Sequence, residues 1–275
     1  MIVDIIAFID ESGDAEGVGD CAIKIATMFS AHLTIVGLPR DIARVPHLSI
    51  APGHILASEH RKAQGVAEAA AIRIAAKAME AGLTCIHSAL EAPAADFPDA
   101  AARIARRFDL CILALPEFGA DAPYEAIFEM TLLRSGGPVM GVPRGSNPRS
   151  NFSSALVAWD AGRAATRGLG DALPLLRLAG KVEITTLLDP RKPIRTPLPD
   201  CDIANHVRRH GIECSYVELP KTRTSSRNLL ERADEIGADY IVMGAQRHSS
   251  LRRAIIGSTT YELMQGSRIP LLMGR

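Results

Sequence analysis

The amino-acid sequence predicts an α/β fold made of two tandem five-stranded parallel sheets. Apolar segments alternate with helical patterns along the chain, as they do in right-handed βαβ units. The 275 residues suit two domains of ordinary size. Hydrophobic residues make up 47% of the chain but aromatic residues only 4%. The core must therefore be mainly aliphatic, which is typical of parallel α/β sheets.

The first half contains five apolar runs separated by four helical patterns. A strand covered on both faces loses its polar alternation, so each short apolar run is predicted to be a buried strand. The predicted strands are 2–9, 32–37, 83–89, 109–114 and 138–143. The predicted helices lie near 18–30, 56–81, 97–107 and 121–134.

The second half repeats this scheme, which favours an internal duplication. Its predicted strands are 155–159, 181–188, 212–218, 239–243 and 269–273, and its predicted helices lie near 162–178, 200–210, 224–236 and 258–266. Asp10 and Asp160 end the two first strands, and Pro138 and Pro270 accompany the two last strands. A polar, turn-rich run over 143–151 is typical of a linker. We therefore predict domains at residues 1–145 and 152–275.

Composition argues against several classes of protein. The 31 acidic and 31 basic residues balance, so no overall field favours nucleic acid or an anionic membrane. No apolar run approaches the roughly 20 residues that span a bilayer, and the N-terminus lacks the basic segment of a signal peptide. Five cysteines without a C-x-x-C pair indicate a reducing compartment, so we expect a cytoplasmic protein.

One pair of residues has the spacing of metal ligands. Cys85 and His87 would share one face of a strand, but no third ligand is identifiable by spacing. We expect a buried core pair and no metal site.

The most informative motif lies near the C-terminal end of the chain. The predicted strand over 239–243 breaks at Gly244, where the absence of a Cβ lets backbone approach a ligand. Gly257 and the hydroxyl side chains after it precede a helical pattern, and Thr259 followed by Glu262 fits a capping box. Backbone N–H groups at such a helix start suit phosphate oxygens. The motif therefore predicts a nucleotide site.

This spacing resembles the signature of the universal stress protein family: Gly, two residues, Gly, nine residues, then Gly-Ser or Gly-Thr. Gly244 and Gly257-Ser258 match it, and Leu156 to Asp160 is similar to the family's first strand. The resemblance implies doubly wound, Rossmann-like sheets of the adenine nucleotide alpha hydrolase type, packed as a pseudo-dimer through their last strands. It also implies ATP or another adenine nucleotide as ligand, with Mg²⁺ left open, and an unknown protein partner or a homodimer.

The resemblance assigns the site residues. Those matching positions around adenine and ribose are Ala158, Trp159, Asp160 and Leu187, and those matching positions around ribose and phosphates are Met243, Gly244, Gly257, Ser258, Thr259 and Thr260. Family topology places the ends of the first and fourth strands at one crevice. Alternatives stay open, because Asp160 could only cap the following helix and Trp159 could be a core residue.

Arg247 stands where the family has its middle glycine. Its bulk could block the loop that wraps the phosphates, whereas its planar cation could bind phosphate oxygens. A solvated basic loop is the third alternative. We include Arg247 among the candidate binding residues.

The first half lacks the phosphate motif. Its fourth strand runs into Pro116 and two carboxylates, Glu117 and Asp121, and no Gly-Ser or Gly-Thr follows at the required distance. We therefore expect no nucleotide in this half.

The sequence favours a binding module over an enzyme. It has no G-x-S-x-G, P-loop or H-E-x-x-H motif, so we assign no catalytic residue. The resemblance implies a stress-response protein whose bound nucleotide regulates its interactions. The alternatives are a slow ATPase or adenine nucleotide hydrolase, and a ligand-free scaffold if Arg247 blocks the site.

Overall fold

The computed structural model describes most of the chain in two compact units. The described residues are 1–10, 15–39, 53–119, 122–146, 151–188, 202–222, 225–245 and 258–275. One unit comprises Met1–Gly137 with Val142–Asn147, and the other comprises Pro138–Gly141 with Pro148–Arg275. Within the described ranges, none of the helices combines the length and the apolar character needed to cross a bilayer.

The first unit is a parallel sheet with helices between its strands. Its strands are β1 (Asp4–Ile9), β2 (His32–Gly37), β3 (Cys85–Ala89) and β4 (Leu110–Ala114), paired in the order β3-β2-β1-β4. Its helices are α1 (Ala15–Phe29), α2 (Gly53–Glu80), α3 (Phe97–Ala105) and α4 (Ala122–Arg134). β1 is apolar and buried over five of its six residues, which explains its unbroken apolar sequence. The short strand β5 (Val139–Val142) begins directly after Pro138.

The second unit repeats this winding. Its strands are β6 (Ser154–Trp159), β7 (Lys181–Leu188), β8 (Cys214–Pro220), β9 (Tyr240–Gly244) and β10 (Leu271–Gly274), in the order β10-β9-β6-β7-β8 and all parallel. Its helices are α5 (Arg163–Leu176), α6 (Ile203–Arg209), α7 (Ser225–Ile236) and α8 (Ser258–Gly266). Residues 139–141 of this unit run antiparallel to β10.

Small residues let α5 approach the sheet closely. A methyl group at Gly168 would lie 2.6 Å from the carbonyl oxygen of Met243, and one at Gly274 would lie 2.6 Å from Cα of Gly168. Both distances are shorter than normal van der Waals contact, so neither position accommodates a larger residue without a shift of backbone. This packing fixes α5 against β9 and β10.

The predicted fold class is confirmed, since the predicted strands and helices match the described elements to within about three residues at each end. β10 begins directly after Pro270, as β5 does after Pro138. The expected core pair in β3 is wrong, because Cys85 is half-buried and His87 is exposed. β3 stands at the end of the strand order of its unit, so its side chains are less covered than those of β1.

Candidate functional site

A cavity of about 380 Å³ lies at the carboxyl ends of four strands of the second unit. This volume falls within the range of small-molecule sites. The cavity is lined by Ala158, Trp159, Asp160, Ala165, Thr185, Leu187, Lys221, Leu229, Met243, Gly244, Thr259, Thr260 and Leu263. Eight of the eleven residues assigned from the sequence are among them.

The cavity lies where the winding of the sheet reverses. From β6 the chain proceeds through β7 to β8 on one side, whereas β9 and β10 lie on the other side of β6. Loops from neighbouring strands leave in opposite directions at such a switch point and open a crevice there. Asp160 after β6 and Gly244 at the end of β9 both line this crevice. The predicted convergence of these two residues is thus present in the structure.

Asp160 holds the turn into α5 while it lines the cavity. Its Oδ1 accepts a hydrogen bond of 2.7 Å from the N–H of Gly162, the residue that precedes the helix. Between them Ala161 adopts a φ of 56°, a left-handed conformation that is uncommon for alanine. Helix entry and cavity lining are therefore two roles of one side chain.

The packing of α5 against β9 requires glycine at position 244, and this requirement was not evident from the sequence. A methyl group there would lie 2.4 Å from the carbonyl carbon of Ala164 and 2.4 Å from the nitrogen of Ala165. The prediction that glycine is needed for the approach of a ligand is thus incomplete, because it is needed for the approach of α5. That approach also brings Ala165 to the cavity wall.

The first turn of α8 forms the opposite wall. Thr259 is exposed and Thr260 is buried, and both line the cavity. The predicted capping box is wrong, because α8 begins at Ser258 and Thr259 lies inside the helix. The carboxylate of Glu262 instead accepts a hydrogen bond from Ser226 Oγ of α7, which ties α7 to α8.

Two of the predicted binding residues, Arg247 and Gly257, lie outside the described residues. For Ser258 the structure gives its position as the first residue of α8. The roles assigned to these three residues stay predictions.

A buried ion pair lies beneath the cavity. Thr185, a fully buried residue of the cavity lining, donates a hydrogen bond of 3.0 Å to Glu183 Oε1. Arg232 of α7 donates to both carboxylate oxygens of Glu183, at 2.8 and 2.6 Å. Burial alone would raise the pKa of Glu183, but the bonds from Arg232 and Thr185 outweigh it and lower that pKa below its ordinary value. The ionised pair therefore clamps α7 to β7 behind the cavity wall.

Sequence reasoning missed five residues of the lining. They are Ala165, Thr185, Lys221, Leu229 and Leu263. Two of them could have been predicted. Thr185 lies two residues before Leu187 and so points to the same face of β7. Lys221 directly follows β8, as Asp160 follows β6. The other three lie on helices, in apolar patterns that any core-facing helix would show.

In the first unit, the side chain of Arg144 lies at the switch point, between the ends of β1 and β4. Arg144 Nη2 lies 3.1 Å from Oδ2 of Asp10, the residue after β1, and Arg144 Nε donates a hydrogen bond of 3.2 Å to the carbonyl of Leu115 after β4. The guanidinium lies 4.8 Å from the ring centroid of Tyr124, whose hydroxyl donates to the Ala114 carbonyl at 3.0 Å. The positions equivalent to Asp160 and Ala245 are thus bridged by an internal cation, which strengthens the expectation that this unit takes no nucleotide.

We expect Arg144→Met to lower the free energy of unfolding by about 2 kcal/mol, because it leaves the carboxylate of Asp10 without this partner. Breaking a buried pair costs about 3–5 kcal/mol, and the side chains here are 15% and 14% exposed, so some water reaches them. Urea unfolding followed by circular dichroism measures the change. The control is Arg134→Met, which breaks a surface pair with Asp99 and should change stability by less than about 0.5 kcal/mol. Equal losses in the two variants would contradict a special role for Arg144.

Comparisons with known proteins agree with this architecture. Residues 207–275 match the model of the universal stress protein family. A universal stress protein from Archaeoglobus fulgidus DSM 4304 superimposes with a TM-score of 0.72 at 19% identity, over 98% of this chain and 96% of that one. A functionally unknown protein from Pseudomonas aeruginosa PAO1 gives a TM-score of 0.55 at 14% identity, over 98% and 92% of the two chains.

A further solved match is a universal stress protein in complex with cAMP. It gives a TM-score of 0.34 at 18% identity and covers 50% of this chain and 94% of that one. No curated protein gives a significant match.

Fold and cavity together define a tandem, doubly wound α/β protein with a cavity at the switch point of its second unit. Residues 207–275, which lie in its second unit, match the family model of the universal stress proteins. The predicted resemblance to that family, in its tandem two-domain form, is confirmed.

Proposed function

We propose that the second unit binds an adenine nucleotide, ATP in the first instance, in the cavity between β6, β7, β8 and β9. The observation that carries this proposal is that Asp160 and the first turn of α8 line one cavity of about 380 Å³. A carboxylate and a helix start on one crevice supply acceptors for hydroxyl groups and donors for phosphate oxygens, which are the two polar parts of a nucleotide.

Each part of the nucleotide has a chemically suited wall. The carboxylate oxygens of Asp160 accept hydrogen bonds from the ribose hydroxyls. The first N–H groups of α8 have no partner within the helix and carry the positive end of its dipole, so they favour phosphate. Thr259 and Thr260 add hydroxyl donors at the same place. The base lies along the apolar wall formed by Ala158, Leu187 and their neighbours.

Mg²⁺ would accompany the phosphates as a ligand of their oxygens. No cluster of three metal-ligating side chains occurs within the described part of the chain. Phosphate oxygens and water would therefore supply its oxygen ligands, which Mg²⁺ commonly takes.

Trp159 makes the proposal testable without a label, because it is the single tryptophan of the chain and lines the cavity. Titration with ATP, ADP and AMP should change its fluorescence in a saturable way. Asp160→Ala should weaken binding at least about tenfold, because a hydrogen bond to a charged group contributes about 1.5–3 kcal/mol. The readout is the dissociation constant from fluorescence, checked by isothermal titration calorimetry.

The matched control is Asp234→Ala, which removes an exposed carboxylate on α7 that does not line the cavity. Its affinity should equal that of the wild type. An unmodified protein that binds none of the three nucleotides at millimolar concentration would rule out the proposed function and leave a ligand-free scaffold. Sustained ATP turnover abolished by Asp160→Ala would favour the hydrolase alternative.

We propose further that the bound nucleotide regulates the association of this protein, with itself or with a protein partner, during a cytoplasmic stress response. The physical basis is that the cavity wall combines seven separate segments: the ends of the strands β6, β7, β8 and β9 and the helices α5, α7 and α8. A ligand that contacts several of these segments stabilises one arrangement of them. Size-exclusion chromatography with and without ATP measures self-association.

A further inference from the structure

Lys221 is a charged residue of the cavity to which nothing above assigns a role. Among the described lining residues, Asp160 and Lys221 are the two with charged side chains. Lys221 directly follows β8, and its N–H donates a hydrogen bond of 2.8 Å to the carbonyl of Leu188. The ladder between β7 and β8 therefore extends to Lys221 and fixes where its backbone lies.

The strand order places Lys221 far from the phosphate end of the cavity. Gly244 ends β9, and three strand intervals separate β9 from β8 in the order β9-β6-β7-β8. At about 4.8 Å for each interval, the two strand ends lie roughly 14 Å apart. A phosphate group that lies beside Gly244 is therefore on the far side of the cavity from Lys221.

The wall between these two ends is mostly apolar toward β8. Leu187 comes from β7, and Leu229 of α7 is 2% exposed. A lysine side chain ends in three N–H donors and has no acceptor. The ligand part that lies against such a wall and still presents acceptor atoms is a heteroaromatic base, through its ring nitrogens or a carbonyl.

We propose that Lys221 is a specificity-determining residue that donates a hydrogen bond to an acceptor atom on the edge of the nucleotide base. This inference rests on the proposed function and adds the contact that distinguishes one base from another. It assigns different parts of the ligand to the two charged residues: the ribose to Asp160 and the base to Lys221.

The first test is Lys221→Met, which keeps most of the length of the side chain and removes its donors. We measure the affinities of adenosine, ATP and inorganic tripolyphosphate by Trp159 fluorescence and calorimetry. Adenosine and ATP should each bind about tenfold more weakly, because a hydrogen bond from a charged donor is lost. Tripolyphosphate should bind as it does to the wild type.

Lys62→Met is the matched control, because it removes an exposed lysine of α2 in the first unit and makes the same change in net charge. It should leave all three affinities unchanged. A loss for ATP and tripolyphosphate but not for adenosine would overturn the inference and identify Lys221 as a phosphate contact.

Adenosine analogues identify the acceptor atom. The analogues lacking N1, N3 or N7 each remove one acceptor, and one of them should bind the wild type about tenfold more weakly than adenosine does. In Lys221→Met the same analogue should bind as well as adenosine, since the shared interaction is already absent. If each of the three analogues loses the same affinity, relative to adenosine, in the wild type and in Lys221→Met, then Lys221 does not form a hydrogen bond with the base.

These outcomes separate the two proposals. Unchanged adenosine affinity in Lys221→Met, with normal ATP binding by the wild type, overturns the role of Lys221 and leaves nucleotide binding intact. A wild type that binds neither ATP nor adenosine overturns both.

Discussion

Replacing Arg232 by methionine should lower the free energy of unfolding by about 3 kcal/mol at neutral pH. The change leaves the Glu183 carboxylate, whose side chain is 4% exposed, without its bidentate partner, and breaking a buried ion pair costs about 3–5 kcal/mol. We choose the lower end of this range because Arg232 is 28% exposed, which lets water reach one side of the pair. Urea unfolding at pH 7 measures the loss.

Arg227→Met on the same helix is the control. Arg227 pairs with Glu231 on the surface of α7, where the two side chains are 76% and 57% exposed. Surface pairs of this kind contribute about 0–1 kcal/mol. A loss in Arg232→Met no larger than that in Arg227→Met would show that the clamp between α7 and β7 adds little.

The effect of Arg232 should depend on pH in a defined direction. The pKa of Glu183 is lowered in the folded protein, so the pair contributes its full stability above the unfolded value of about 4.3. That contribution is lost as the pH falls through the lowered folded pKa, because the folded carboxylate then binds a proton. The stability difference between wild type and Arg232→Met should therefore shrink below about pH 4. A difference that stays constant between pH 7 and pH 3 would indicate lost packing instead of a lost charge pair.

The fold was predictable because its signal is local. Continuous apolar runs bounded by glycine and proline identify strands covered on both faces, and eight of the ten strands in the described residues are mostly buried. β3 shows where the argument fails: its sequence, Cys85 to Ala89, resembles that of a buried strand, yet most of its side chains are exposed. Exposure at the end of a sheet depends on strand order, which no local pattern encodes.

The site residues that could be predicted from the sequence are those that end a strand at the switch point of the sheet. Asp160 and Gly244 satisfy that condition. Lys221 also follows the end of a strand and lines the cavity, but it lies outside the glycine motif and outside the strand end that the family resemblance covers. The clamp of Glu183 and Arg232 was not accessible to sequence reasoning. A charged residue in a buried strand and an arginine 49 positions later on a helix meet only after folding, and no spacing rule relates them. Arg144 and Asp10 are separated by 134 positions and meet for the same reason.

Gly168→Ala should also be strongly destabilising, by about 3 kcal/mol, at the upper end of the range for overpacking. The added Cβ would lie 2.6 Å from the carbonyl oxygen of Met243 and 3.0 Å from its carbonyl carbon. Its neighbour is backbone, so no side-chain rotation relieves the overlap, and α5 must move away from β9. Urea unfolding measures the loss of stability.

Gly170→Ala on the same helix separates steric overlap from helix propensity. Gly170 is exposed, and a methyl group there meets nothing within 4 Å. Alanine is favoured over glycine inside a helix by about 1 kcal/mol, so this variant should be as stable as the wild type or more stable. Gly168→Ala gains the same propensity and should still lose stability, because the overlap outweighs that gain. Since Met243 and Ala165 both line the cavity, the displacement of α5 should also weaken ATP binding in Gly168→Ala and leave it unchanged in Gly170→Ala. Equal stability of the two variants would show that α5 does not depend on the small residues that bring it against the sheet.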